Sequence, residues 1–208
     1  MVKKILEVIS YNADEIKYIT SLGMLTGNMW GKTDDELKKL KERIRSQLSL
    51  FQNHECAYCG FKLGITSNDE IEHIAPKGKI GKRVLYPQFM FTEKNLALSC
   101  HYCNSILKKG TFDTIETYDE EYEKCTFKIV HPYFDDPSDH LDWLQEGEKI
   151  LILCKNNSPK GQASINLFEL ATERHSEERA EKAVIKLLKE TLPAGEYEEL
   201  IKQALEFR

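Results

Sequence analysis

The chain has 208 residues, with 29 Lys and Arg against 34 Asp and Glu and a formal net charge of −5. Hydrophobic residues make up 41% and charged residues 30%, which excludes a disordered chain. No apolar run reaches the roughly 18 residues of a membrane span, and Glu7 and the polar residues 12–15 interrupt any signal-peptide core, so a cytoplasmic protein is expected. Taken whole, the negative charge argues against a nucleic-acid partner.

In chain order, 13–25 is a helix candidate ended by Gly23 or Gly27. A stronger helix is predicted over 33–51. There Thr33 and Glu36 have capping-box spacing, and Leu37, Leu40, Ile44, Leu48 and Phe51 share one face. The segment 54–110 carries several glycines and short apolar runs and reads as compact and irregular. Residues 126–130 and 149–154 are strand-like, although 150–153 is a short apolar run that periodicity alone does not classify. His131-Pro132 and Asp136-Pro137 punctuate the link between them. Two helices are expected at the end. One places Ala180, Ala183, Val184, Leu187 and Leu188 on one face; the other, after Pro193, does so with Tyr197, Leu200, Ile201, Ala204 and Leu205. The organisation expected is a helical region 1–53, a core 54–110, and a mixed or helical region 111–208 offering a partner-binding surface.

Four of the six cysteines form two Cys-x-x-Cys pairs, Cys56/Cys59 and Cys100/Cys103. In a reducing compartment such pairs read as thiolate ligands, and two of them complete a tetrahedral Zn²⁺ site. The interval between the pairs exceeds that of a simple zinc ribbon, so the metal would pin the ends of an inserted unit. Cys125 and Cys154 stand alone in apolar surroundings and read as core residues.

Between the pairs lies Ile71-Glu72-His73-Ile74-Ala75-Pro76-Lys77. On a strand, Glu72 and His73 would point to opposite faces, so a bend is needed for both to serve one site, and Pro76 and Gly78 allow the chain to turn away. Asn95 and Asn104 follow. Each residue alone is better read as structural. Together they are suited to a hard divalent cation, Mg²⁺ or Mn²⁺, held by Glu72 and the Asn104 amide. His73 would take a proton from water, and Asn95 would hold the imidazole. This is equipment for metal-assisted phosphodiester hydrolysis.

These residues, with Lys109-Gly110 after them, resemble the zinc-stabilised branch of the HNH endonuclease family. The resemblance implies an α+β fold: a small ββα-metal core with a structural four-cysteine zinc site, flanked by N-terminal and C-terminal helices. It implies Glu72 as ligand of the catalytic cation, where most members carry Asp, and His73 as general base. It makes Asn95 the middle residue that orients the base and fixes the loop, and Asn104 the second metal ligand.

The 131–140 segment, Glu72-His73-x-x-Pro76-Lys77 and 161–170 are similar to the retron-associated and Septu-type HNH proteins. That similarity implies antiphage defence alongside an ATPase partner. From local chemistry, Asp135, Asp136, Asp139 and His140 read better as a capped acidic turn than as a metal set.

The net charge averages two unlike regions. Residues 76–110 hold seven basic residues against the single acid Glu93, a net of +6, which leaves −11 for the remainder. Within the basic stretch Lys77, Lys79, Lys82, Arg83, Lys108 and Lys109 are the candidate DNA contacts. The reading is a metal-dependent DNA endonuclease. The alternative is a non-catalytic four-cysteine zinc module that binds nucleic acid or protein and needs the cysteines but not Glu72, His73 or Asn104.

Overall fold

The structure, a computed structural model, describes residues 1–65, 69–78, 85–105, 107–193 and 195–206. Helix α1 (Ala13–Ser21) begins at Asn12 with a reciprocal cap. The Asn12 side chain accepts from the Glu15 amide, and the Glu15 carboxylate accepts from the Asn12 amide. It stops short of residue 25, and Gly23 takes the left-handed backbone just beyond it (φ +64°).

Helix α2 (Asp35–Phe51) buries Leu37, Leu40, Ile44 and Leu48 of the predicted stripe, and Phe51, its last member, is half-buried. Its cap corrects the sequence expectation by one residue. Asp34 rather than Thr33 is the N-cap, accepting from the Leu37 amide at 3.0 Å and the Tyr18 hydroxyl at 2.7 Å. A carboxylate there also complements the positive end of the helix, which a hydroxyl does not.

Strands β1 (Asp69–His73) and β2 (Leu96–Cys100) pair antiparallel, Glu72 opposite Ala97 and His73 opposite Leu96. The four-residue helix α3 (His101–Asn104) follows at once. The segment read as irregular thus contains an ordered ββα unit. The stripe of α2 packs with Leu96 and Leu98 of β2, and Ile71 of β1 lies against the same cluster.

Strands β3 (Ile115–Thr117) and β4 (Thr126–Phe127) form a second, bulged pair, so only two residues of 126–130 are strand. Phe127 and Ile115 close a second core with Ile74, Ala75, Phe89, Tyr122 and Tyr133. Helix α4 (Pro137–His140) starts at Asp136, whose carboxylate accepts from the Ser138 amide at 2.8 Å. Asp135 accepts from Lys160 Nζ and the His131 amide, and His140 Nδ1 meets Ser158 Oγ at 2.6 Å. The acidic turn is therefore structural.

Strand β5 (Leu141–Glu146), which periodicity did not announce, pairs with β6 (Lys149–Cys154) around Gly147 (φ +59°). Helix α5 (Pro159–Leu167) is capped by Ser158. Gly161 is required there, since a Cβ would lie 2.2 Å from the His140 carbonyl oxygen. The two expected terminal helices are α6 (Glu173–Thr191) and α7 (Glu196–Glu206). Among the described residues no helix is long and apolar enough to cross a membrane.

The chain divides into two compact units, 1–142 with 154–170, and 143–153 with 171–208. The first holds both hydrophobic clusters. In the second, Arg179 donates to the Ile150 carbonyl at 3.2 Å and lies over the Trp143 ring at 5.5 Å. Val184, Leu187, Leu200, Ile201 and Leu205 stay exposed there.

Buried His131 locks the first unit. Its Nδ1 accepts from the Tyr133 and Phe134 amides, so Nε2 carries the proton and donates to the Tyr122 hydroxyl at 2.9 Å. Burial, then the charges of Lys160, Lys4 and Lys94, hold its pKa well below the usual range. The unfolded chain therefore takes up a proton below about pH 6.5 that the folded chain refuses. Stability from this residue is present above that pH and falls below it, by at most about 1.4 kcal/mol per pH unit. Exchanging His131→Phe should cost about 1–3 kcal/mol at pH 7.5. Urea melts should show that gap shrinking at pH 5.5; a gap unchanged with pH would contradict the buried neutral imidazole.

Candidate active site

The site starts from the end of α2. Gln52 is buried and turns its amide onto β2, donating to the Leu98 carbonyl at 2.9 Å and accepting from the Leu98 amide at 2.7 Å. It also donates to the Glu55 carbonyl at 2.8 Å. The Ala57 amide adds a bond to the Leu98 carbonyl at 3.0 Å. These bonds bring the first cysteine knuckle beside the second. Gly60 supplies the left-handed turn (φ +74°), and the Gly60 amide bonds back to the Cys56 carbonyl at 2.9 Å.

The four sulfurs of Cys56, Cys59, Cys100 and Cys103 lie within 4.8 Å of one another, with Cys59 and Cys100 3.9 Å apart. A tetrahedron with Zn–S bonds of about 2.3 Å has edges of about 3.8 Å, so the arrangement fits that ion. The Cys100 amide also points at Cys56 Sγ at 3.4 Å. The bond from Cys103 draws the Cys100 thiol far below its ordinary pKa, and the same bond pushes Cys103 far above. Four cysteine sulfurs gathered this closely are the donor set that a thiophilic cation such as Zn²⁺ takes. Among the described residues this is the one cluster of three or more His, Cys, Asp and Glu side chains close enough to share a metal ion. Tyr58 stacks on Phe168 at 4.2 Å and covers the knuckle, with its hydroxyl buried.

Strand alternation places Glu72 and His73 on opposite faces of β1. His73 turns toward the α2 side. Its Nε2 lies 3.2 Å from the Met90 carbonyl, and the Trp30 ring meets it edge-on at 4.5 Å. Trp30 reaches this place because the chain before it runs close to the site loop. A Cβ on Gly27 would lie 2.0 Å from the Gly78 carbonyl oxygen. Burial, followed by the charges of Lys77 and Lys109, holds the His73 pKa well below the usual range. The ring is therefore neutral near pH 7. With Nε2–H given to a carbonyl, Nδ1 keeps the lone pair.

Glu72 faces the other way. Its Oε1 lies 2.8 Å from Lys109 Nζ, and the same ammonium donates to the His73 carbonyl at 3.1 Å. The ammonium is thus the counter-charge of this buried oxygen, at charge-assisted hydrogen-bond distance. Burial raises the Glu72 pKa, and Lys109 opposes that rise. A buried carboxylate oxygen and a backbone carbonyl oxygen facing one positive charge are donors of the type that a hard cation takes. Lys109, a candidate phosphate contact in the sequence, has its side chain fully buried and turned inward instead. A buried carboxylate needs a counter-charge more than solvent needs one more lysine.

Asn95 is fully buried and holds the loop rather than the imidazole. Its Oδ1 accepts from the Ala75 amide at 2.6 Å, and its Nδ2 donates to Phe89 and Ala75 carbonyls at 2.8 and 3.2 Å. Met90, next to Phe89, is what meets His73, so Asn95 sets the imidazole only at one remove. Asn104 donates to Glu70 at 2.7 Å, and the second oxygen of Glu70 meets His101 Nδ1 at 2.8 Å. Glu70 and Glu72 share a face of β1 by strand alternation, which puts Asn104, bound to Glu70, on the Glu72 side of the sheet. Sequence reasoning missed Glu70, Gln52 and Trp30; alternation from Glu72 could have pointed to the first.

Of the other candidate DNA contacts, Lys77 is half-buried and its charge acts on both Glu72 and His73. Lys108 is paired with Glu169 and lies over the Tyr102 ring at 5.0 Å. Lys79, Lys82 and Arg83 lie outside the described residues.

Residues 56–110 match the family model described as HNH endonuclease. The chain is also 32% identical over 155 residues to the Septu protein PtuB of Bacillus mycoides (strain KBAB4), an alignment covering 68% of this chain and 51% of that relative. The chain thus spans about half the length of the relative it matches. A two-stranded hairpin leading into a helix, closed by four cysteines and bearing Glu72-His73 at the end of its first strand, is the unit that model matches. Residues 56–110 belong to the HNH endonuclease family.

Proposed function

We propose that the chain is a metal-dependent endonuclease that hydrolyses DNA phosphodiester bonds, and that it serves antiphage defence with an ATPase partner, as its Septu-type likeness suggests. The observation that carries the reading is the neutral, oriented His73 at the end of β1, within a domain matched by the HNH family. Zn²⁺ on the four cysteines would be structural. Glu72 and Asn104 would hold Mg²⁺ or Mn²⁺, which when bound would neutralise charge developing on the leaving oxygen.

His73 performs the proton step. Its Nδ1 lone pair takes one proton from water while Nε2–H stays on the Met90 carbonyl. The water oxygen bonds to phosphorus, a P–O ester bond breaks, and the departing oxygen is protonated from solvent. The ring is held in place by Trp30 and by the loop that Asn95 fixes. His73 is 4% exposed and Glu72 5%, so water and DNA reach them only after the surface above them opens. This favours conditional activity: a slow isolated chain, quickened when a partner or DNA moves that cover.

The test is cleavage of plasmid DNA with Mg²⁺ or Mn²⁺, by the chain alone and with a candidate ATPase partner. His73→Ala should lower the rate about 10²- to 10⁴-fold, the usual contribution of a general base. Equal rates for the two proteins would refute His73 as the base.

A further inference from the structure

Lys109 is the only buried lysine among the described residues. Its ammonium lies between Glu72 Oε1 at 2.8 Å and the His73 carbonyl at 3.1 Å, both on the last two residues of β1. The partners are a carboxylate and a backbone carbonyl, the oxygen types a hard cation selects. A lysine of ordinary length gains little by burying itself unless an anion would otherwise stand alone. We propose that Lys109 is a built-in stand-in for the active-site divalent cation, occupying its place at Glu72 until the ion arrives and displaces the ammonium.

The inference rests on the proposal that Glu72 is a metal ligand. Charge decides the exchange. One carboxylate cannot hold both a divalent cation and an ammonium at contact distance, because the two positive charges repel where solvent screens them least. Lys109 must leave as the ion enters. Leu107, two residues before it, is 90% exposed and Phe112, three residues after it, is 40% exposed, so the chain on both sides of the buried Lys109 runs at the surface. Lys108 next to it is tied to Glu169 across the same surface, so whatever engages Lys108 also bears on its neighbour. A phosphate arriving there offers the released ammonium a new anion. Ion entry and substrate engagement would then favour one another, each removing a cost from the other.

Two measurements test this on the full chain with its zinc retained. In the first, lysines are acetylated with and without Mn²⁺ and read by mass spectrometry. Lys109 should be protected in the metal-free protein and should react on the order of ten-fold faster once Mn²⁺ is bound. In the second, Mn²⁺ affinity is measured by calorimetry. Lys109→Met should bind Mn²⁺ on the order of ten-fold more tightly than wild type, because no ammonium needs displacing. Lys109 staying protected at saturating Mn²⁺, or Lys109→Met binding no more tightly, would overturn the stand-in while leaving Glu72 as ligand. Undiminished Mn²⁺ binding by Glu72→Gln would remove the ligand assignment itself, and the stand-in with it. The labelling arm uses the unmodified chain and so holds even where the Met variant folds poorly.

Discussion

Cys103→Ser is expected to abolish folding of residues 56–110, not merely weaken it. Structural zinc contributes on the order of 10–16 kcal/mol of apparent free energy in small domains, which matches or exceeds the total stability of a typical fold. Here the metal would join a knuckle held by Gln52 to one that ends β2, so its loss releases both sides. Chelation of the wild type should act in the same way, with near-ultraviolet circular dichroism and amide exchange reporting loss of the hairpin while the second unit, 143–153 with 171–208, keeps its helices. Metal analysis should give one zinc per chain for wild type and none for the variant. A variant that keeps wild-type protection at the β2 amides would show that the four sulfurs do not hold the core together.

Asn95→Ala is the second large effect. The amide satisfies three buried backbone groups, the Ala75 N–H and C=O and the Phe89 C=O. Each group left alone in a dry core costs roughly 1–3 kcal/mol, so a loss of about 3–5 kcal/mol is expected by urea unfolding. Cleavage should fall further than stability explains, since the turn through Phe89 and Met90 positions the carbonyl that orients His73. Zinc content should stay at the wild-type value, which separates this effect from loss of the knuckles. A loss below about 1 kcal/mol would mean the turn holds its shape by packing alone.

The sequence is informative wherever chemistry is carried by spacing. The two Cys-x-x-Cys pairs meet within 4.8 Å, and the apolar stripe of α2 is buried as its period requires. Strand alternation correctly separates Glu72 from His73. What spacing could not disclose is the partner of each polar group. Asn95 serves backbone groups at residues 75 and 89, and nothing local to it distinguishes a loop clamp from a side-chain orienter. Lys109 looks like its basic neighbours in sequence, and only burial reveals that it faces Glu72. Strand β5 escaped notice because its apolar positions, Leu141, Trp143 and Leu144, do not alternate cleanly, and most of its residues are exposed. The cap of α2 moved by one residue because Thr33 and Asp34 are both good caps, and the Tyr18 hydroxyl chose between them.

The pairs that build the site are distant along the chain: Gln52 with Leu98, Cys56 with Cys100, Glu72 with Lys109. Contacts of such long sequence separation are expensive to close and form slowly, and each is worth little until the others are in place. A nascent chain that has not yet supplied residue 109 lacks the counter-charge for Glu72, and one that stops before residue 103 lacks the fourth sulfur. The order of synthesis therefore delays assembly of the Glu72–His73 centre until the whole of residues 56–110 has been made.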